Sequence, residues 1–236
     1  MVHSSLSSLG YVVGGARTVI AALTAVLGPR GTLVMPSHSW DRSGHGDFRF
    51  DVKHTASCVG TISEVFRRMP GVSRSLHPTH SVVARGPQAH QVTEGHEQAR
   101  TPCGDGTPYA KLIELGGQIL FLGTTLDQNT LFHTLEDLAG LPYLLRDHDD
   151  CFIITDASGA TFARSFRRQD RGPDRRFAAT RDELTRLGIL RRGRVGRSSS
   201  LLLESAPLLK WGAETLRRDP TFLLAQERHA THTQSS

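Results

Sequence analysis

Residues 1–15 read MVHSSLSSLGYVVGG and run directly into an apolar segment, from about Ala16 to Leu27, that has the pattern of a helix. Gly14 and Gly15 would let backbone N–H groups approach a ligand closely, where that helix presents its positive end. Short hydroxyl donors precede them at Ser4, Ser5, Ser7 and Ser8. The pattern is typical of a strand end and a turn that binds a phosphorylated cofactor, and a serine-capped helix start is the alternative.

The composition is that of an ordinary globular protein. The 236 residues suffice for one large domain or two small ones. No long apolar run and no signal peptide are visible, so we expect a cytoplasmic protein that makes no membrane contact. Cys58, Cys103 and Cys151 are widely spaced and odd in number, which fits a reducing compartment, and we interpret all three as buried or incidental.

Arginine is concentrated in one part of the chain, whose formal net charge is +5. Twelve arginines lie between Arg164 and Arg197, against only four acidic residues. Such a stretch could bind an anionic partner, nucleic acid included, or form a solvated surface. Because aromatic residues are sparse there and no nucleic-acid motif is present, we expect a solvated surface and no nucleic-acid partner.

Helix and strand patterns alternate early in the chain, and a hairpin comes late. Apolar stripes predict helices at 16–27, 59–69, 109–115, 130–138, 180–187 and 204–217. Short apolar runs predict strands at 31–36, 81–84 and 118–123, and a hairpin formed by 151–155 and 160–166. The pattern indicates a single α/β domain over residues 1–236, with a mixed central sheet flanked by helices.

One histidine is accompanied by a carboxylate at helical spacing. In the segment FHTLE, Glu136 lies three residues after His133 and therefore on the same face of the predicted helix. The pair follows a polar turn at the carboxyl end of a buried strand, where α/β proteins usually bind ligands. A carboxylate fixes the imidazole tautomer and stabilises its charged form, so the spacing indicates a general base, with a surface pair as the alternative.

Other polar residues give weaker signals. The spacings of His38, His45, His54, His77 and His80 match no metal-binding pattern, so we expect no catalytic metal. No nucleophile elbow surrounds any serine. Trp40 and Asp41 begin a long polar loop and could hold a cationic, sugar-like ligand, or the aspartate could simply cap the loop.

Five segments together resemble the aminoglycoside 3-N-acetyltransferase family, also called antibiotic N-acetyltransferases. They occur in the family's order and approximate spacing over residues 2–145, and beyond residue 150 the similarity is looser. The segments are VHSSLSSLGYVVGG (2–15), GTLVMPSHSWD (31–41), the stretch from Cys58 to Gly86, GDGTPYAKLIELGGQILFLG (104–123) and LFHTLED (131–137).

The resemblance implies the family's own α/β fold and transfer of an acetyl group from acetyl-CoA to the 3-amino group of an aminoglycoside antibiotic, a resistance activity. It implies His133 as the general base, held by Glu136 or by a later acid such as Asp170, and Trp40 and Asp41 in the antibiotic cleft. It also implies acetyl-CoA contacts by a larger set, in which Thr107 stands where related sequences often carry serine. The set is Ser4, Ser5, Leu6, Gly14, Gly15, Arg74, Ser75, His77, Pro78, Ser81 and Thr107.

Two departures from the family leave alternatives open. Family members usually carry a helix and most of a strand before the VHSS segment, and here these elements are short or missing. The chain is also basic, although a cleft for polycations should be acidic. The alternatives are an acetyltransferase that acts on another amine, a truncated non-catalytic relative, and an anion- or nucleic-acid-binding protein. We expect a monomer or a homodimer.

Overall fold

The computed structural model describes residues 1–40, 48–170 and 172–225. The strands are β1 (Val2–Ser4), β2 (Leu33–Pro36), β3 (Arg49–Asp51), β4 (Ser73–Arg74), β5 (Val82–Arg85), β6 (Gln118–Leu122), β7 (Leu145–Thr155), β8 (Thr161–Gln169), β9 (Leu190–Val195) and β10 (Ser198–Glu204). The α-helices are α1 (Gly15–Leu27), α2 (Thr61–Arg67), α3 (Ala89–Thr93), α4 (Pro108–Glu114), α5 (Thr130–Leu138), α6 (Arg181–Arg186) and α7 (Ser205–Arg218). These elements confirm an α/β fold with mixed sheets flanked by helices.

A four-stranded sheet with the order β1-β6-β10-β9 joins the two ends of the chain. Strand β1 is parallel to β6, with Val2 opposite Leu120, while β10 is antiparallel to both β6 and β9. The side chains of Ile119 and Phe121 in β6 are fully buried. Residues 2–4 are thereby tied to a strand more than a hundred residues later, and the loop after β1 is held beside the end of β6.

Two three-stranded sheets complete the described strands, in the orders β2-β5-β4 and β3-β7-β8. Strand β2 lies next to β1, so the first two sheets adjoin. The third sheet is built on the long β7–β8 hairpin, whose strands are longer than the sequence pattern predicts. The hydrogen bonding of the described strands is thus divided among three sheets, where the sequence predicted one central sheet.

Helix α1 follows the turn at Gly14 and packs by only part of its predicted apolar stripe. Val19 and Ile20 are buried with residues of β2 and α2, such as Leu33 and Phe66. Val26, one heptad after Val19, is 88% exposed. The second half of the helix therefore extends beyond its packing partners in the described structure.

Helix α5 is held by its cap and by the main core. The Asn129 side chain accepts a hydrogen bond from the Leu131 amide at 3.2 Å, which satisfies a free donor at the helix start. Phe132 and Leu135 are buried in the core cluster that also contains Trp211 of α7. His133 lies in the middle of this fixed helix. None of the helices among the described residues is long and apolar enough to cross a membrane.

Candidate active site

A cavity of about 850 Å³ opens where the carboxyl ends of several strands meet. Ser4 at the end of β1, Pro36 at the end of β2 and Thr124 just after β6 contribute to its wall. The base of the β7–β8 hairpin contributes Arg146 and Arg168. The carboxyl edge of strands in α/β proteins is the usual place for ligands, and the volume suits a ligand the size of a drug molecule.

His133 lines this cavity, and Glu136 lies directly behind it. His133 Nδ1 lies 2.7 Å from Glu136 Oε2, and the Glu136 side chain is fully buried. Because a buried carboxylate accepts hydrogen bonds, Nδ1 carries the proton and Nε2 is left as the basic nitrogen. The Phe177 ring meets the imidazole edge-on, with centroids 5.2 Å apart, which further limits its rotation.

Asp170 and Trp40 also line the cavity. The nearest described partner of the Asp170 carboxylate is the backbone amide of Gly172, 3.4 Å from Oδ1. The hydrogen bond of His133 in the structure is with Glu136, and support of His133 by Asp170 stays a prediction. Trp40 is 43% exposed, and Asp41 lies outside the described residues.

The expected cofactor contacts near the start of the chain have different surroundings: one lines the cavity, and the others lie in the loop after β1 and at the start of α1. Ser4 lines the cavity, while the Ser5 hydroxyl accepts a hydrogen bond from Ser8 at 2.8 Å and Leu6 packs on the core under α1. Gly14 and Gly15 have φ values of 78° and 58°, a region that favours glycine. They start α1 at its positive end, where the Gly15 amide donates to the Val12 carbonyl at 2.9 Å.

The side chains of Arg74 and Ser81 form hydrogen bonds within the protein. The Arg74 guanidinium donates to the carbonyls of Ser37 at 2.9 Å and Thr55 at 2.5 Å, and to the Ser81 hydroxyl at 3.0 Å. The guanidinium also lies over the Phe50 ring, and burial lowers the pKa of Arg74 to about 9. The Ser81 hydroxyl itself donates to the Ser37 carbonyl at 2.6 Å.

The remaining expected cofactor contacts, Pro78, Thr107, Ser75 and His77, are also buried or engaged within the fold. The Pro78 carbonyl accepts from the Ser39 hydroxyl at 2.6 Å, and Thr107 caps α4. None of these four, nor Arg74 or Ser81, is among the described residues that line the cavity. Their contact with acetyl-CoA stays a prediction, and the contacts they make in the structure are those of side chains that shape the fold.

A cluster of buried histidines lies beside the cavity and consists of His38, His77, His80 and His96. The His77 and His96 rings stack at 4.5 Å between centroids, and His38 and His80 lie 4.9 Å apart. Tyr109 donates to the His80 carbonyl at 3.0 Å, so its oxygen accepts from His38 Nε2 at 2.7 Å. Within the described residues no group of acidic, cysteine or histidine side chains is arranged to hold a metal.

Burial keeps these histidines neutral. It lowers the pKa of His80 and His96 to about 3 and holds the pKa values of His38 and His77 well below their ordinary value. His38 and His80 reach the cavity wall, whereas His77 and His96 lie deeper. The cavity therefore has neutral donor and acceptor groups beside the His133 ring, and the histidine cluster adds no positive charge at this end.

Charge on the cavity wall comes from the β7–β8 hairpin and from two aspartates. Arg146 and Arg168 both pair with Asp150, at 3.6 Å for Arg146. Asp127 and Asp170 supply negative charge on other parts of the wall. The site thus combines an imidazole whose Nε2 is unprotonated with a large polar cavity. These two features suit proton removal from a ligand amine.

Comparison with known proteins identifies the chain's relatives. The family model described as aminoglycoside 3-N-acetyltransferase matches residues 1–217. The chain belongs to the aminoglycoside 3-N-acetyltransferase family. It is 35% identical to aminoglycoside N(3)-acetyltransferase IV of Salmonella sp, over 95% of this chain and 82% of the relative.

Two solved structures of family members have the same fold. One is a histidine-to-alanine mutant of aminoglycoside acetyltransferase AAC(3)-IVa in complex with a gentamicin, with a TM-score of 0.80 and 33% identity over 95% of this chain and 83% of that one. The other is AAC-IIIb with CoASH, with a TM-score of 0.80 and 29% identity over 92% and 89%. The prediction of an acyltransferase of this family is confirmed.

The arginines between Arg164 and Arg197 have different surroundings in the structure. Several of its arginines are engaged by carboxylates: Arg167 by Asp149, Arg175 by Glu136, and Arg191 by Glu204. Others on β9 are exposed. Part of the segment thus forms ion pairs with other residues of the chain, and part of it is a solvated surface.

Several residues that line the cavity were not predicted from the sequence. His3, Asp127, Asn129 and Arg146 line it, and only the rule that ligands bind at the carboxyl ends of strands could have indicated His3. Arg175, which pairs with Glu136 at 3.2 Å, is 39 residues away in sequence and gave no local signal.

Proposed function

We propose that this protein transfers the acetyl group of acetyl-CoA to the 3-amino group of an aminoglycoside antibiotic, with His133 as the general base. The observation that carries the proposal is the His133–Glu136 pair on the wall of a large cavity, in a chain of this family. The solved complexes of relatives with CoASH and with a gentamicin support both the donor and the acceptor class.

The residues support a direct transfer. An aminoglycoside amine is mostly protonated near neutral pH and must lose a proton before it can attack. His133 Nε2 accepts that proton while Glu136 stabilises the imidazolium. The amine nitrogen then bonds to the thioester carbonyl carbon, the carbon–sulfur bond breaks, and the CoA thiolate leaves. The nitrogen releases its second proton to solvent as the amide forms, and the proton held by His133 passes to the thiolate to give CoASH. The acetyl group moves directly from sulfur to nitrogen, so no covalent enzyme intermediate is needed.

We assign the acetyl-CoA side of the cavity to the turn after β1. Ser4 lies on the cavity wall, and the chain runs from it through Ser5 and Leu6 to Gly14 and Gly15 at the start of α1. The positive end of the α1 dipole there favours a pyrophosphate. Tyr11 in the same turn is 94% exposed and offers an apolar surface to the cofactor.

We assign the acceptor to the part of the cavity wall that Trp40 forms; Asp41, expected from the sequence to contact it, lies outside the described residues. The exposed face of Trp40 is a platform for a sugar ring or an ammonium group. Asp170 and Asp127 supply negative charge for an aminoglycoside's other amines. The arginine pair at Arg146 and Arg168 makes this cleft less acidic than a polycation would favour, so acetylation of another amine is the second candidate.

The experiment is incubation of the purified protein with acetyl-CoA and a panel of aminoglycosides, with and without a 3-amino group, while free thiol is monitored. We expect thiol release only with 3-amino acceptors, and NMR of the product should locate the acetyl group on that nitrogen. Release with non-aminoglycoside amines alone would favour the second candidate. No release from a sample shown to be folded would contradict the proposal.

A further inference from the structure

We propose that Arg175 is a positioning residue for the acetyl transfer: it holds the Glu136 carboxylate in place and keeps it aimed at His133. The inference rests on the proposed function, because it concerns the same catalytic pair. Arg175 comes from the irregular segment between β8 and α6, in the arginine-rich part of the chain.

The geometry is that of one carboxylate shared by two donors. Glu136 Oε2 lies 2.7 Å from His133 Nδ1, and Glu136 Oε1 accepts from Arg175 Nε at 3.2 Å. The Glu136 side chain has no exposed surface and that of Arg175 has 11%. A carboxylate without water needs protein donors for both oxygens, and here the general base and the arginine supply them.

Arg175 is itself fixed on several sides. Its guanidinium lies 5.2 Å from the Tyr143 ring centroid and donates through one terminal nitrogen to the Pro173 carbonyl at 2.7 Å. Its backbone forms a β-bridge with Leu224, and the next residue's amide donates to the Leu223 carbonyl. The guanidinium therefore cannot follow Glu136 if the carboxylate moves, and it keeps Oε2 aimed at the imidazole.

The charges around the pair give the sign of the pH effect. Besides Arg175, the titratable groups that act on the pair include Tyr143, Cys103, Asp137 on α5, and His38 and His80 beside the cavity. Asp170 also lines the cavity. Arg175 is a permanent cation in contact with Glu136. A cation beside the pair disfavours the second positive charge of an imidazolium, so its removal makes the His133–Glu136 pair hold a proton to higher pH.

The test is the pH dependence of kcat/KM for Arg175→Met and Arg175→Lys. In Arg175→Met we expect the acidic midpoint of the profile to move up by about one pH unit. We expect kcat to fall about tenfold or more, with little change in the KM for acetyl-CoA, because a misplaced base slows chemistry more than binding. Arg175→Lys keeps the charge and should restore the midpoint close to the wild-type value.

The control is the neighbouring Arg176→Met. Arg176 is also partly buried, donates to the Phe222 carbonyl at 2.8 Å and lies over the Phe222 ring. These contacts are made away from Glu136, so the loss of Arg176 should cost stability without moving the midpoint. An unmoved midpoint in a folded Arg175→Met protein, or an equal shift in Arg176→Met, would overturn the inference.

A second readout does not depend on turnover. The NMR titration of the His133 ring, assigned by its loss in His133→Ala, should shift to higher pH in Arg175→Met. The shift should shrink when Arg175→Met is added to Glu136→Gln, because the arginine acts through the carboxylate. Absence of acetylation by a folded wild-type protein contradicts the proposed function, whereas the ring titration separately tests the coupling of Arg175 to the His133–Glu136 pair. An unshifted ring titration contradicts the inference whether or not the enzyme is active.

Discussion

The Arg74 guanidinium joins three segments of the fold, although the sequence resemblance places it among the acetyl-CoA contacts. It donates to the carbonyls of Ser37, Val52 and Thr55. Replacement by methionine leaves these buried acceptors unpaired, so we expect the free energy of unfolding to fall by about 3 kcal/mol in urea denaturation.

The companion measurement for Arg74→Met is acetyl-CoA affinity by calorimetry at a temperature where the variant is folded, and we expect little change. Arg68→Met is the matched control. The Arg68 side chain is 68% exposed and pairs with Glu64 at 2.6 Å, so its loss should alter stability by no more than about 0.5 kcal/mol. Unchanged stability together with much weaker cofactor binding in Arg74→Met would show that Arg74 contacts the cofactor.

At the residue scale, the predictable part of the site is the part encoded by local spacing. His133 and Glu136 are three residues apart on one helix, so the helical period alone brings them together. Arg175 reaches the same carboxylate from a distant segment, and His77 stacks on His96 through tertiary packing. Such contacts depend on how the elements pack, which a single sequence does not state.

At the element scale, Gly212 lets α7 pack closely on the helix that carries His133. A Cβ at Gly212 would lie 2.4 Å from Leu135 Cδ1, and Leu135 is buried. In Gly212→Ala we expect crowding that costs about 1–3 kcal/mol to exceed the roughly 1 kcal/mol that alanine gains in a helix. Chemical denaturation should therefore show a less stable protein, and kcat should fall because Glu136 follows Leu135 directly.

The matched control for Gly212→Ala is Gly193→Ala on β9. Open space surrounds the position of the added methyl there, and we expect a change within about 0.5 kcal/mol. A Gly212→Ala protein that is more stable than wild type would mean that α7 and α5 are less tightly packed than the structure has them.

Most helices were predicted within about two residues, since each has an apolar stripe and a glycine or a cap at its end. Strands β9 and β10 were missed. Half of Leu190–Val195 is arginine and the strand is almost entirely exposed, so it lacks the alternation that marks a strand. Strand β10 ends where a helix was predicted to begin. The pairing of β1 with β6 could not be predicted either, because parallel strands that are far apart in sequence leave no local pattern.

At the scale of the whole molecule, buried neutral histidines make the fold sensitive to acid. They are His3, His38, His77, His80 and His96, and burial lowers the pKa of each far below its ordinary value of 6.5. The unfolded chain binds protons at these histidines below about pH 6.5, whereas burial keeps them neutral in the folded chain to well below that pH. Their stabilising contribution is therefore present above pH 6.5 and is lost as the pH falls.

Each histidine removes about 1.4 kcal/mol of stability per pH unit below about pH 6.5. The five together should lower the free energy of unfolding by roughly 7 kcal/mol between about pH 7.5 and 5.5, a large part of a domain's stability. Urea denaturation at a series of pH values measures this loss. A free energy of unfolding that stays constant over that range would show that the cluster is hydrated or already charged in the folded protein.

The most direct test of the central claim is the steady-state kinetics of His133→Ala with acetyl-CoA and a 3-amino aminoglycoside. The control is His90→Ala, which removes a histidine paired with Glu94 at 3.0 Å on an exposed helix surface away from the cavity. We expect kcat to fall by about 10²–10⁴-fold in His133→Ala, with acetyl-CoA affinity and the folded state retained, and to stay unchanged in His90→Ala. Near-wild-type acetylation by His133→Ala would contradict the assignment of His133 as the general base.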